Sequence, residues 1–397
     1  MTQANAEPHR KVTWAELFFD LVFVFAVTEV SGLLHHDHTA TGVLRALILF
    51  VPLFWTWVGT TMHSNHHRVE GPGDRLAMFT VALASLFMAL AVPAAYEDRG
   101  LLFGGAYLLI RIVLGLGMFR HGWFFFNSFT LGVFVTGPLF VVGGLVHDAW
   151  RPALWALAGA LDLAGPWLAR RRLDDRVFDV NHLPERFGLL VIVALGESIV
   201  AIGAQAAGSV DLDATVLVAV GAAFALTAGL WWVYFHFAAD AIAQALEAAT
   251  AKGTIIRPVL TYGHFIFISG VIAVAVGLAE GVAHPGERLS ASVAALLFGG
   301  CVVYLGGFAF TRWIMFRTVA KSRLTAAAAV VVLAPVALAV PAVVSLLSLA
   351  AVVALLNLFE YAYVRRSGQP IHRRPVPQQT KPRDGADDGV ALADDTV

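Results

Sequence analysis

Twelve stretches of this chain are each apolar for about the 20 residues that a helix needs to cross a hydrocarbon core of roughly 30 Å. They fall at about 14–34, 42–62, 75–95, 100–120, 128–147, 152–170, 186–206, 213–237, 258–280, 289–311, 324–342 and 344–364. In lipid a backbone N–H or C=O has no water to bond, so runs of this length must close their hydrogen bonds internally, as helices. Of the 397 residues 58% are hydrophobic and 14% charged, and the mean hydropathy is +0.73. That composition excludes an ordinary soluble domain. The expected fold is all-α, a polytopic integral membrane protein of about twelve transmembrane helices whose partner is the lipid bilayer. Between Ala326 and Val364 the apolar run is almost unbroken, and Pro341 marks the turn within it.

Lys and Arg set the orientation. With twelve spans, 22 of the 27 fall at the N-terminus, in the even-to-odd loops and in the C-terminal tail, while Arg45, Arg99, Arg151 and Arg288 lie on the other side and Arg111 within a span. The positive-inside rule then makes the basic face cytoplasmic and puts both termini there, in a bacterial inner membrane. Five segments follow: a cytoplasmic N-terminus (1–13), a first six-helix half (14–172), a basic linker (173–184), a second half (185–364) and a Pro-rich, then acidic, tail (365–397) too polar to bury a core. A net charge of −1 without a clustered basic field gives no basis for a nucleic-acid partner.

The first span carries Glu16, Asp20 and Glu29. Carboxylates at membrane depth are costly unless protonated, paired or hydrated, which makes them candidates for function. Glu16 and Asp20, four residues apart, share a helix face. Glu29 lies about 13 Å further along and roughly half a turn round, so it addresses another neighbour. In the seventh span Glu197 stands about 18 Å beyond Glu185. Arg111 centres the fourth span and Asp162 the sixth, at depths that let Arg111 meet Asp162 or Glu197. One embedded guanidinium against Asp20, Glu29, Asp162 and Glu197 leaves acids to be protonated, to face water or to hold a cation. Opposed effects of burial and a cationic neighbour are what a proton relay needs. Glu16 and Glu185 begin their helices, where a carboxylate meets the helix dipole favourably, and read as capping residues.

Compared with itself, the chain shows an internal duplication. Glu16-Leu-Phe-Phe-Asp-Leu-Val-Phe-Val lies over Glu185-Arg-Phe-Gly-Leu-Leu-Val-Ile-Val, and Trp55 and Trp57 are echoed by Trp231 and Trp232. Two six-helix repeats in parallel orientation are expected. The segments Trp14-Ala-Glu-Leu-Phe-Phe-Asp-Leu-Val-Phe-Val-Phe-Ala-Val, His182-Leu-Pro-Glu-Arg-Phe-Gly-Leu-Leu-Val-Ile-Val-Ala-Leu-Gly-Glu-Ser and Trp231-Trp-Val-Tyr-Phe resemble the bacterial low temperature requirement protein A family, over nearly the whole length to about Val364. The resemblance implies a polytopic bacterial membrane protein, linked by name to growth in the cold, and singles out Glu16, Phe18, Phe19, Glu185, Arg186 and Ser198 as motif residues at helix ends. His63, His66, His67 and Arg68 follow the second span where the family is expected to carry a more acidic loop.

Other features have structural readings. Gly196-Glu197-Ser198 lacks the closing glycine of a nucleophile elbow, since Val200 stands there, and no metalloprotease, Walker or dinucleotide motif accompanies it, so no enzyme is expected. His35, His36 and His38 in the first outer loop, and the histidines after the second span, read as polar interface residues, with no resident metal and no cofactor. His236 and His264 read as packing or interface residues. Cys301 is the lone cysteine, excludes an intrachain disulfide and reads as packing. Gly104-Gly105, Gly143-Gly144 and Gly306-Gly307 read as close helix approaches. Trp55, Trp57, Trp123 to Phe126 and Trp231 to Phe237 read as an interfacial belt.

The expected function is secondary transport of a small solute or ion, coupled to protons or cations through Asp20, Glu29, Asp162 and Glu197, with Arg111 setting their charge. The alternatives are a cation channel, for which Phe18-Phe19-Asp20 is loosely similar to a potassium-channel signature, and a structural or regulatory membrane protein of cold adaptation. The substrate, its direction and the oligomeric state are not written in these motifs.

Overall fold

The computed structural model of the protein describes residues 12–66, 71–120, 127–147, 149–168, 178–179, 181–208 and 212–367. The expected tail from residue 368 onward, residues 173–177 and 180 of the basic linker, His67, Arg68 and Trp123 to Phe126 lie outside the described residues. Those described form helices and short loops, with one isolated bridge between Arg288 and Pro341.

The helices are α1 (Trp14–His36), α2 (Ala40–His66), α3 (Pro72–Ala91), α4 (Gly100–Arg120), α5 (Ser128–Leu145), α6 (Trp150–Leu168), α7 (His182–Gly208), α8 (Ala214–Phe235), α9 (Ala239–Ala248), α10 (Gly253–Ala283), α11 (Ala291–Phe316), α12 (Lys321–Ala337) and α13 (Ala342–Ser367). Among the described residues ten spans are long and apolar enough to cross a membrane, one of them running from α8 through α9. The other two expected spans are α6, diluted by Arg151 and Asp162, and α12, only 17 residues long. The short amphipathic α9, absent from the sequence reading, inserts before α10 and buries Ala241, Ile242, Ala245 and Leu246.

Local chemistry sets the boundaries. Thr13 caps α1 in a reciprocal box with Glu16, Asn127 caps α5, and Asp213 and Ser290 cap α8 and α11. Pro72 opens α3, where its missing N–H is no loss. Arg317 ends α11 in the left-handed region at φ 52°. The turn at Pro341 is where the sequence placed it, pinned by the Ala342 amide donating to the Glu287 carbonyl at 2.7 Å.

Two helices depart from regular winding. Gly132–Thr136 within α5 and Ile256–Gly263 within α10 are π-helical; Pro138 follows the first and Pro258 lies within the second, and neither can donate in the ladder.

In the first half α3 packs on α1 and α4, α4 on α5, α5 on α6, and α2 on α1 and α6. In the second α10 packs on α7 and α11, α11 on α12, α12 on α13, and α8 on α7 and α13. The neighbour scheme recurs. The sequence overlay does not give its register, however: Glu16 is buried whereas Glu185 is exposed, and Phe23 is buried whereas Ile192 is 47% exposed. The halves meet where α1 lies on α7 and α10, and α2 on α7.

Of the glycine pairs, a Cβ on Gly104 would meet the Phe140 carbonyl oxygen at 2.3 Å, and one on Gly144 the Gly100 oxygen at 2.5 Å. Gly143 abuts Trp155 and Gly307 abuts Phe267, but Gly105 and Gly306 face open space, so only part of the motif makes close approaches. Cys301 is fully buried in the core. Trp55 and Trp57 correct the belt reading: both are interior, because α2 is enclosed on nearly all sides by its own half and by α7. Trp231 and Trp232, 43% and 41% exposed, stay on the periphery.

Candidate functional site

The capping box that starts α1 aims Glu16 inward. Its Oε2 accepts from the Thr13 amide at 2.8 Å and the Thr13 hydroxyl at 2.9 Å, and its Oε1 lies 3.1 Å from His182 Nε2 on α7. Asn65 approaches His182 Nδ1 at 3.4 Å, and an amide nitrogen can only donate, which leaves Nε2 to carry the proton toward Glu16. One turn on, Asp20 takes a two-pronged contact from Arg186: Nη1 to Oδ2 at 2.6 Å and Nη2 to Oδ1 at 3.0 Å. The indole N–H of Trp57 donates to the same Oδ1 at 2.9 Å, and Arg186 lies over the Trp57 ring at 5.3 Å. Glu16 and Asp20 do share a face, and they face the other half. Glu185 beside them points outward.

A second cluster lies within the first half. Arg111 Nη2 donates to Asp162 Oδ1 at 2.8 Å and its Nε to the Tyr107 hydroxyl at 2.8 Å, while Tyr107 donates to Asp162 Oδ2 and Thr136 to Oδ1. Three of the roughly four lone-pair directions of the carboxylate are thus engaged, two on Oδ1 and one on Oδ2. The π-helical segment of α5 makes this possible by presenting Thr136 and by bringing Gly132 so close that a Cβ would sit 2.7 Å from Arg111 Nε. Arg111 therefore meets Asp162 and not Glu197.

Glu197 accepts from Thr28 across the α1–α7 contact at 2.5 Å, with Ser31 beside it. Glu29, half-buried, is within electrostatic reach of Glu197 and Arg99. Ser198 is buried. Phe19 is core, whereas Phe18 is half-exposed and meets Phe79 edge-on. A third ion pair joins Arg323 on α12 to Glu360 on α13, with Ser322 donating to the same carboxylate at 2.6 Å. His264 is buried and satisfied: the Val259 carbonyl fixes the proton on Nδ1, so the Tyr234 hydroxyl donates to Nε2 at 2.7 Å.

These contacts correct one premise of the sequence reading. Among the described residues five carboxylates are buried, Glu16, Asp20, Asp162, Glu197 and Glu360, and so are five guanidinium groups, on Arg111, Arg151, Arg186, Arg257 and Arg323. Arg111 is not a lone interior cation. Arginines near helix ends, which a linear reading assigns to loops, carry their charge on long stems that reach inward as readily as they snorkel outward. The sequence signal that could have found them is Arg186 and Arg323 within the first five residues of their helices, one helix-width from an embedded acid.

Asp20, Asp162 and the Glu29–Glu197 group do not converge on one site. What does lie between the halves is a partly open cavity of about 90 Å³, walled by α2, α4, the start of α5, α6 and α10. Trp55, Val58, Gly59, Phe129 and Ile256 give it apolar sides, and Asn127, Ser128 and Thr261 polar ones. Arg111 and Arg257 both reach it, with His66 at one end, and no carboxylate is among its lining residues. Arg111 keeps Nη1 unbonded among the described residues, on the Gly59 side. Arg257 and Thr261 come from the π-helical segment of α10, and Arg257 stacks over Trp167 at 5.3 Å. Outside the spans, the Thr39 hydroxyl and amide donate to Asp37 and hold its carboxyl below the usual range.

The family profile described as bacterial low temperature requirement A protein matches residues 11–358. The chain belongs to that family. A protein of Rhizobium meliloti (strain 1021), described as uncharacterized, is 32% identical to this low temperature requirement A protein over 320 residues, 76% of each chain. No solved structure matches it.

Proposed function

We propose that this low temperature requirement A protein is a secondary transporter of a small anionic solute, a carrier and not an enzyme, with its substrate site in the cavity between the two halves. The observation that carries the reading is a wall that two guanidinium groups, on Arg111 and Arg257, both reach, with no carboxylate among its lining residues. A guanidinium matches a carboxylate or phosphate in charge and in donor geometry. In this reading Arg111 is shared: Asp162 and Tyr107 hold two of its nitrogens, and Nη1 is offered to the solute. The Asp20–Arg186 pair joins the halves and acts as the lock that rearranges when the cavity changes face. Proton coupling through Asp20 or through the Glu29–Glu197 group belongs to the same proposal, as do a cytoplasmic basic face and an inner-membrane location. The shared neighbour scheme supports descent of the halves from one six-helix unit, as in parallel-repeat carriers.

The test is uptake by purified protein in proteoliposomes, offered a panel of labelled small carboxylates and inorganic phosphate. Wild type should accumulate at least one of them. Arg257→Gln should cut that uptake tenfold or more, and Arg45→Gln, outside the cavity, should not. Uptake of none, or equal uptake by both variants, refutes the carrier reading. A linear current indifferent to pH would mean the channel alternative. The partnered acids favour one further reading, a scaffold without transport, in which the ion pairs only join helices.

A further inference from the structure

The end of the molecule opposite Thr13 holds a cluster that neither the family assignment nor the cavity uses. His35 stands in the last turn of α1, His38 in the loop before α2, and Glu280 in the last turn of α10. Their donor atoms all lie within 4.8 Å of one another. His35 Nδ1 is 3.4 Å from Glu280 Oε1 and His38 Nε2 is 3.9 Å from the same oxygen, while the two imidazoles stand edge to face at 82°. His38 Nε2 is buried and has no hydrogen-bond partner among the described residues.

We propose that His35, His38 and Glu280 bind one first-row divalent transition-metal ion, which ties the first half of the bundle to the second.

Two imidazoles and one carboxylate are a donor set that suits Zn²⁺ and its neighbours, at about 2.0–2.2 Å per bond. Ligands at such distances in a tetrahedron stand roughly 3.3 Å apart by that geometry. The observed separations, none above 4.8 Å, exceed this by about 1.5 Å at most, a gap within the reach of side-chain rotation. The fourth position is left for water. Asp37 does not belong to the group whose donor atoms cluster, and its Oδ1 accepts from the Thr39 amide and hydroxyl at 3.0 and 2.6 Å. Those bonds instead brace the loop that carries His38. The three side chains are part-buried, with relative exposures of 34%, 21% and 25%, so the ion would be held at the rim and not sealed inside. His284 and Glu287, only 3.7 Å apart but 60% and 77% exposed, form a more solvated pair nearby and serve as the control.

The experiment uses the full chain in detergent, purified with an affinity tag that contains no histidine and stripped with chelator. Co²⁺ is titrated and followed by its visible absorption, then displaced with Zn²⁺ against a competing chelating dye. Wild type should take up one ion per chain with these ligands, and His284→Ala should match it. His38→Ala and Glu280→Gln should each weaken binding at least tenfold. Zn²⁺ should also raise the melting temperature of wild type and leave that of the two variants unchanged, and agreement of the three melting temperatures without metal shows that the variants are folded. Binding by wild type no tighter than by His38→Ala or Glu280→Gln overturns the proposal, as does uptake that disappears in His284→Ala.

Discussion

Asp20 illustrates what a carboxylate needs to survive at membrane depth: two N–H groups of Arg186, the indole of Trp57, and a cationic face stacked on that indole. Removing one partner of such a buried pair costs about 3–5 kcal/mol, because the survivor is left charged in a low-dielectric site. Arg186→Gln should therefore lower stability by about that amount in thermal unfolding in detergent. Adding Asp20→Asn should restore most of it, since no uncompensated charge then remains. If the double variant is as weak as the single, the pair is not the unit described here. Tyr107 makes a subtler case, as its hydroxyl both donates to Asp162 and accepts from Arg111. Tyr107→Phe keeps the ring and orphans two groups, for an expected loss of about 1–3 kcal/mol in the same assay.

Helices approach closely only where the facing residue is small, and the glycine pairs turn this into a comparison between neighbours. Gly104 sits against the α5 backbone at Phe140, and backbone cannot rotate out of the way. Gly104→Ala should force α4 and α5 apart at a cost of about 1–3 kcal/mol or more. Gly105→Ala, one residue on and facing open space, should be neutral or slightly stabilising, because alanine has the better helix propensity. Equal losses at the two positions would mean that α4 does not present the face described. The π-helical segments act at the same scale. Each carries a polar residue toward a guanidinium site, Thr136 to Asp162 and Thr261 to the cavity wall.

For the whole molecule, the halves meet along α1, α7, α2 and α10, and the cavity and the His35–His38–Glu280 cluster lie at different depths of that seam. If all twelve spans cross the membrane, both chain ends lie on one side. Reporters fused after residue 397 and before residue 1 should both report the cytoplasm, while one inserted at Asp98, between α3 and α4, should report the opposite compartment. Reporters on opposite sides for the two ends would remove one crossing, with α6 or α12 the first to lose that role, being the more polar and the shorter.

Bilayer-length apolar runs, Pro341 and the family motifs are local features, so hydropathy and spacing disclosed the spanning helices and the kinship of the chain, but not the short α9 or the Thr13 and Asn127 caps. Depth along a helix is also local arithmetic, which is why Arg111 could be matched to Asp162 as one of two candidates. Rotation about the helix axis and choice of neighbour are not local. Only packing decided that Trp57 faces Asp20 and not the lipid interface, that Glu280 joins two histidines far away in the chain, and that Arg186 and Arg323 turn inward. A guanidinium on a flexible stem goes where a buried carboxylate is, and the position of that carboxylate is a property of the assembled bundle.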